Sequence, residues 1–194
     1  PKYYDWHASL PNELVIGQIP DTATNVVVVG CGTSYLPQQL YNHRVTRDQQ
    51  ITIVCLDYSK ICIDQLQHFY EQSVQKAFTS SNNNSSMSFV HGDATCIVES
   101  LGEENIGQVD VILDKGLIDA LMCGDGWDGD VERLFSGVSS LLRSNGLYLL
   151  ISYKLSRSVQ ALLMQIGEAC GITWKFDIPS ISTPQVSFSI GRKK

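Results

Sequence analysis

Four short segments combine backbone freedom with polar side chains: Gly30-Cys31-Gly32-Thr33-Ser34, Asp57-Tyr58-Ser59, His91-Gly92-Asp93-Ala94 and Asp114-Lys115-Gly116. Glycine lets a chain turn tightly and approach a ligand closely, and a helix that starts after such a turn offers free N–H groups to a carboxylate or phosphate. Asp57 stands 25 residues after Gly32, where a carboxylate accepts hydrogen bonds from ribose hydroxyls. Asp93 can accept a hydrogen bond from an adenine amino group. Asp114 and Lys115 end an apolar run beside Gly116, which places their charge at a site and not in a core. Together the four segments describe a pocket for a nucleoside-like ligand.

Each segment also has a plainer reading. The glycines could serve only a turn, Asp57 could begin a turn and lead into a helix capped by Ser59, and Asp93 could close an Asx-turn. Lys115 could pair with Asp114 or Asp119 simply to finish a strand. A dinucleotide fingerprint, G-x-G-x-x-G, is not met, because Tyr35 occupies the third glycine position. The segment from Gly124 to Asp130 carries three carboxylates, but its spacing does not match a calcium loop, and it reads as an acidic surface loop able to attract a basic substrate.

Those segments need strands to end on. Four consecutive valines make Asn25 to Val29 a strand buried on both faces, and further strands are expected at Ile51–Leu56, Met87–Val90, Val109–Leu113 and Leu147–Ser152. Helices follow from Pro37 to about Tyr41, from Ser59 through Tyr70, from Val131 to Leu142 and from Val159 to Cys170. Residues 172–176 and 185–190 form two closing strands with no helix between them, so the last runs antiparallel. The expected fold is α/β: a doubly wound, mostly parallel seven-stranded sheet with an antiparallel last strand. One domain over residues 1–194 accounts for the length, with the polar Ser/Asn segment 79–86 as a mobile loop.

The segments VGCGTSYLPQQLY (29–41), VCLDYSKICIDQL (54–66), Met87 to Asp93 and above all VILDKGLIDAL (111–121) resemble the successive cofactor motifs of class I S-adenosylmethionine-dependent methyltransferases. Within that class, D-K-G-x-x-D-A is similar to the block characteristic of the eukaryotic lysine methyltransferases of translation elongation factor 1-alpha. The resemblance implies a Rossmann-like methyltransferase fold and S-adenosylmethionine as cofactor, with S-adenosylhomocysteine as product. It implies that Gly30, Cys31, Gly32, Thr33 and Ser34 hold the methionine part, that Asp57 with Tyr58 and Ser59 holds the ribose, and that Asp93 with Ala94 holds the adenine. Asp114, Lys115 and Gly116 would border the methyl-transfer region, with Asp114 orienting the acceptor as the catalytic residue. Tyr4-Asp5-Trp6 is similar to the family's aromatic segment before the first strand, which sets Trp6 beside the cofactor. The family's further upstream aromatic and basic residues have no counterpart in this sequence. The implied acceptor is a protein lysine, with elongation factor 1-alpha as partner; a small molecule or another protein as acceptor, or a non-catalytic methyltransferase-like module, are the other readings.

Composition sets the outer bounds. Lys and Arg number 14 against 20 Asp and Glu, a net charge of -6, and the only basic cluster is Arg192-Lys193-Lys194, so a nucleic-acid partner is not expected. No apolar run reaches the length of a membrane span. The six cysteines form no C-x-x-C pair, so a zinc site is not expected, and their apolar settings suit a reducing compartment, the cytoplasm. A secretory leader is not expected, since Pro1 is not followed by a basic then apolar stretch.

Overall fold

The computed structural model describes residues 6–73 and 84–194. A short helix α1 (Asn12–Ile16) leads into β1 (Asn25–Val29), and the chain then alternates: α2 (Leu36–Val45), β2 (Thr52–Asp57), α3 (Lys60–Ser73) and β3 (Ser86–His91). A 3-10 turn over Ala94–Cys96 and α4 (Ile97–Leu101) precede β4 (Val109–Lys115), followed by α5 (Leu117–Leu121), α6 (Trp127–Leu141), β5 (Leu142–Tyr153), α7 (Arg157–Ala169), β6 (Ile172–Lys175) and β7 (Val186–Lys193).

The strands form one seven-stranded sheet in the order β3-β2-β1-β4-β5-β7-β6. β1 pairs in parallel with β2 and β4, whereas β7 runs antiparallel to both β5 and β6. Chain order reverses between β1 and β4, so a crevice opens there beyond the carboxyl ends of the strands. The four valines of β1 are buried and divide between two cores: Val26 and Val28 pack on one face, Val27 and Val29 on the other. Burying each stabilises the fold by about 1.5–3 kcal/mol before chain entropy is counted. β4 is buried along its whole length, which leaves its end as the place where polar groups first meet the crevice.

Several boundaries differ from those read in the sequence. α2 continues past Tyr41 to Val45, because the buried Arg44 sends its guanidinium back to the carbonyls of Ile19, at 3.1 Å, and Pro20, at 2.7 Å. α6 stops at Leu141, and Ser144-Asn145-Gly146 forms a bulge inside β5, with Val109 opposite Leu142 but Val111 opposite Leu147. Asn145 takes the left-handed conformation that this bulge requires, φ 65°. Beside it Arg143 Nε lies 2.7 Å from Asp110 Oδ1, while Asp110 Oδ2 accepts from the Thr24 and Asn25 amides, fastening the amino ends of β1 and β4. Of the segment 79–86 expected as a mobile loop, 79–83 lie outside the described residues. Ser85 accepts a 3.0 Å bond from the Ile51 amide, and Ser86 begins β3. Among the described residues no helix is long and apolar enough to cross a membrane.

Candidate functional site

The turn after β1 is held open by backbone geometry. Gly30 and Gly32 have φ of 58° and 52°, the left-handed region that glycine enters without a steric cost. A Cβ on Gly30 would stand 2.8 Å from Cβ of Leu117, whereas one on Gly32 would meet nothing within 4 Å. The first glycine therefore lets α5 pack against the turn, and the second leaves clear space. The Cys31 amide donates to the Leu56 carbonyl at 3.2 Å, tying the turn to the end of β2. The Cys31 thiol is pushed well above its ordinary range, first by its hydrogen bond with Cys55 and then by burial, so it remains protonated at neutral pH.

Asp57, the last residue of β2, joins two elements. Its Oδ2 accepts from the Gly32 amide at 2.7 Å and its Oδ1 from the Ser59 amide at 2.7 Å. A carboxylate has about four acceptor sites, so these two bonds orient Asp57 and leave capacity for further donors. Ser59 Oγ then accepts from the Cys62 amide at 3.4 Å in the first turn of α3. His91 Nε2 lies 3.0 Å from the Tyr58 carbonyl and links the ends of β2 and β3. Asp93 Oδ1 accepts from the amide and hydroxyl of Thr95, at 2.8 and 2.9 Å, capping the 3-10 turn.

At the end of β4 the charged residues go in different directions. Asp114 is fully buried: Oδ2 accepts from the Tyr148 hydroxyl at 2.8 Å and Oδ1 from the Leu117 amide at 2.8 Å. Burial raises its pKa to about 7, although the Tyr148 hydroxyl and the amides of Leu117 and Ile118 pull the other way. Tyr148 is itself pushed well up by burial and by the Asp114 charge. Lys115 Nζ donates to Asn12 Oδ1 at 2.7 Å. Gly116, at φ 95°, turns the chain into α5.

These elements enclose a two-lobed cleft at the carboxyl end of the sheet. One lobe, of about 380 Å³, is lined by Trp6, Gly30, Cys31, Gly32, Thr33, Ser34, Asp57, Tyr58, Lys115 and Gly116, with Cys62, Leu117 and Ala120. The other, of about 290 Å³, is lined by Gly92, Asp93, Ala94, Thr95, Leu121, Asp130 and Arg133. The lobes share Gly30, Asp57, Tyr58 and Leu117. Two expected residues do not line the cleft. Ser59 Oγ faces the start of α3, and Asp114 is fully buried with its carboxylate bonded to the Tyr148 hydroxyl and the Leu117 amide.

Cys62, Leu117, Leu121 and Arg133 also stand on the cleft wall and are not among the expected site residues. Helical spacing after Ser59 puts Cys62 in the first turn of α3, and Asp130 pairs with Arg133 one turn on, at i,i+3. The segment read as an acidic surface loop starts α6 at Trp127, which brings Asp130 into the second lobe. His7 Nε2 lies 2.8 Å from Asp119 Oδ2, a pairing across 112 residues that no local signal announces.

In fold, the chain is similar to a TehB-like SAM-dependent methyltransferase from Corynebacterium glutamicum, with a TM-score of 0.64 and 14% identity over 94% of this chain and 86% of that one. It is similar also to a SAM-dependent methyltransferase from Methanosarcina mazei, with a TM-score of 0.63 and 9% identity over 92% and 96% of the two chains. The magnesium protoporphyrin IX methyltransferase of Synechocystis, solved with bound SAM, gives a TM-score of 0.60 and 18% identity over 94% of this chain and 75% of that one. No family model and no curated protein matches the sequence. The fold is the Rossmann-like methyltransferase fold, with its mostly parallel seven-stranded sheet and antiparallel β7.

Proposed function

We propose that this chain, as one domain, binds S-adenosylmethionine across the two lobes and transfers its methyl group to an acceptor amine. The observation that carries this reading is the position of Asp57, at the junction of a glycine-turn lobe and a lobe bordered by Asp93 and Ala94. The donor set fits the group: backbone turns and open space at Gly32 for the amino-acid part, a carboxylate for ribose hydroxyls, and a second carboxylate for an adenine amine. The similar methyltransferases, one of them solved with bound SAM, support it.

When bound, the cofactor supplies a sulfonium methyl already activated for attack. The chain's own residues align and shield. Asp57 rigidifies the glycine turn through Gly32, while Leu117, Ala120 and Trp6 give the first lobe an apolar wall that limits water. Cys31, held as a neutral thiol, does not compete as a nucleophile. Asp114 contributes from below, fixing the start of α5 through the Leu117 amide.

The resemblance of residues 111–121 to the elongation-factor enzymes supports a protein lysine as acceptor, with elongation factor 1-alpha as the first candidate. Asp125, Asp128 and Asp130, in and before the first turn of α6, add negative charge near the second lobe and suit a basic polypeptide. Six free thiols suit a cytoplasmic protein. A small-molecule acceptor is the second reading, favoured by the shared fold with the magnesium protoporphyrin IX methyltransferase. Incubation with methyl-labelled cofactor and a cell extract separates the two. Label on lysine in a protein band supports the first, label confined to the low-mass fraction supports the second, and no transfer to either rejects methyl transfer.

A further inference from the structure

His7 is a non-glycine residue with φ 58°, in the turn that precedes α1. Side chains occupy that left-handed region where their surroundings hold them there, and here the surroundings are specific. The His7 side chain is fully covered, and its Nε2 lies 2.8 Å from Asp119 Oδ2. An ionised carboxylate only accepts, so Nε2 carries the hydrogen and donates. Asp119 is 9% exposed and also accepts from the Tyr153 amide, at 3.2 and 3.3 Å, while the His7 ring stands edge-on to Tyr153 with centroids 4.6 Å apart. The bond from Lys115 to Asn12, 2.7 Å, joins the same two regions a few residues further along. His7 Nδ1 is buried with no partner among the described residues, so the ring is held from one side only.

The consequence falls on the neighbouring residue. Trp6 is 46% exposed and lines the lobe that contains the glycine turn, together with Lys115 and Gly116. A Cβ built on Gly116 would lie 3.5 Å from both Trp6 Cβ and His7 Nε2, so the segment passes directly against the end of β4. Asp119 lies one turn into the helix that Gly116 begins.

We infer that His7 and Asp119 form a clasp that positions Trp6 as one wall of the donor lobe, making both of them positioning residues for the cofactor. The inference rests on the proposed methyl-donor site. Loss of the clasp removes the buried bond that holds His7 in its left-handed backbone, and Trp6 shifts from its place in the wall. Asp119→Ala and His7→Ala each weaken binding of S-adenosylhomocysteine by about tenfold, the worth of one buried hydrogen bond. Asp119→Asn keeps an oxygen acceptor for Nε2 and restores affinity to within about threefold of wild type.

The test is calorimetric titration of the whole chain and these variants with S-adenosylhomocysteine, alongside amide hydrogen exchange over residues 6–12 without ligand. The clasp predicts faster exchange there in both alanine variants, weaker binding in both, and recovery of both properties in Asp119→Asn. Should Asp119→Ala not fold, His7→Ala carries the same test from the other partner. Wild-type affinity in the alanine variants, or an Asp119→Asn variant as weak as Asp119→Ala, overturns the inference alone. A wild-type chain that binds no S-adenosylhomocysteine overturns the methyl-donor reading and the inference with it.

Discussion

The Tyr148 hydroxyl reaches 2.8 Å across the core to the carboxylate of Asp114, a residue with no exposed surface. Burial lifts the Asp114 pKa to about 7 from an ordinary value of 3.8, so the folded chain holds a proton there that the unfolded chain releases. Between those two values the folded state binds more protons, and stability therefore falls as pH rises, levelling off above about pH 7. Urea unfolding of wild type and Asp114→Asn across this range should show wild type losing on the order of a few kcal/mol relative to the variant. A difference that stays flat, or that grows in favour of wild type as pH rises, contradicts the burial account of Asp114.

The two glycines of the β1 turn should respond unequally to alanine. Both have positive φ, but only a Cβ on Gly30 collides, at 2.8 Å from Leu117 Cβ. Gly30→Ala should cost about 2–4 kcal/mol of stability, backbone strain and overpacking together, and Gly32→Ala only about 1–2 kcal/mol from strain. Equal midpoints in thermal unfolding would show that the Leu117 contact does not set the cost.

Asp57 touches both the glycine turn and the start of α3 and lines both lobes. Removing a charged acceptor from two backbone N–H groups is worth about 1.5–3 kcal/mol for each bond, so Asp57→Ala should weaken S-adenosylhomocysteine binding by at least about tenfold. Asp57→Asn, which keeps one acceptor, should fall between. Calorimetry that finds all three chains alike removes Asp57 from the site.

Asp93 offers a test of the second lobe. An adenine amine donates to a carboxylate, whereas the hypoxanthine carbonyl at the same position does not. Wild type should prefer S-adenosylhomocysteine over its inosine counterpart by about tenfold, and Asp93→Ala should abolish most of that preference. A preference that survives the substitution assigns base recognition elsewhere.

How far the sequence disclosed this arrangement depends on the range of each signal. The β1 strand and its turn were legible because four consecutive valines run directly into Gly30-Cys31-Gly32. α5 was not, since its five residues are too few to display a helical period. Ser144-Asn145-Gly146 reads as a helix stop, yet the same residues serve a bulge once Leu142 pairs with Val109, a choice made by tertiary packing. Asp114 was placed at the site because charge avoids the core, and the partner that lets it be buried, Tyr148, lies 34 residues away. His7 and Asp119 are 112 residues apart, and only the folded chain brings them together.

The central claim is that the two-lobed cleft is a site for S-adenosylmethionine. Its most direct measurement is calorimetric titration of the chain with S-adenosylhomocysteine, with NAD under the same conditions. The account predicts saturable one-to-one binding of S-adenosylhomocysteine, lost or weakened in Asp57→Ala, and no binding of NAD. Saturable binding of NAD with no heat from S-adenosylhomocysteine would contradict it.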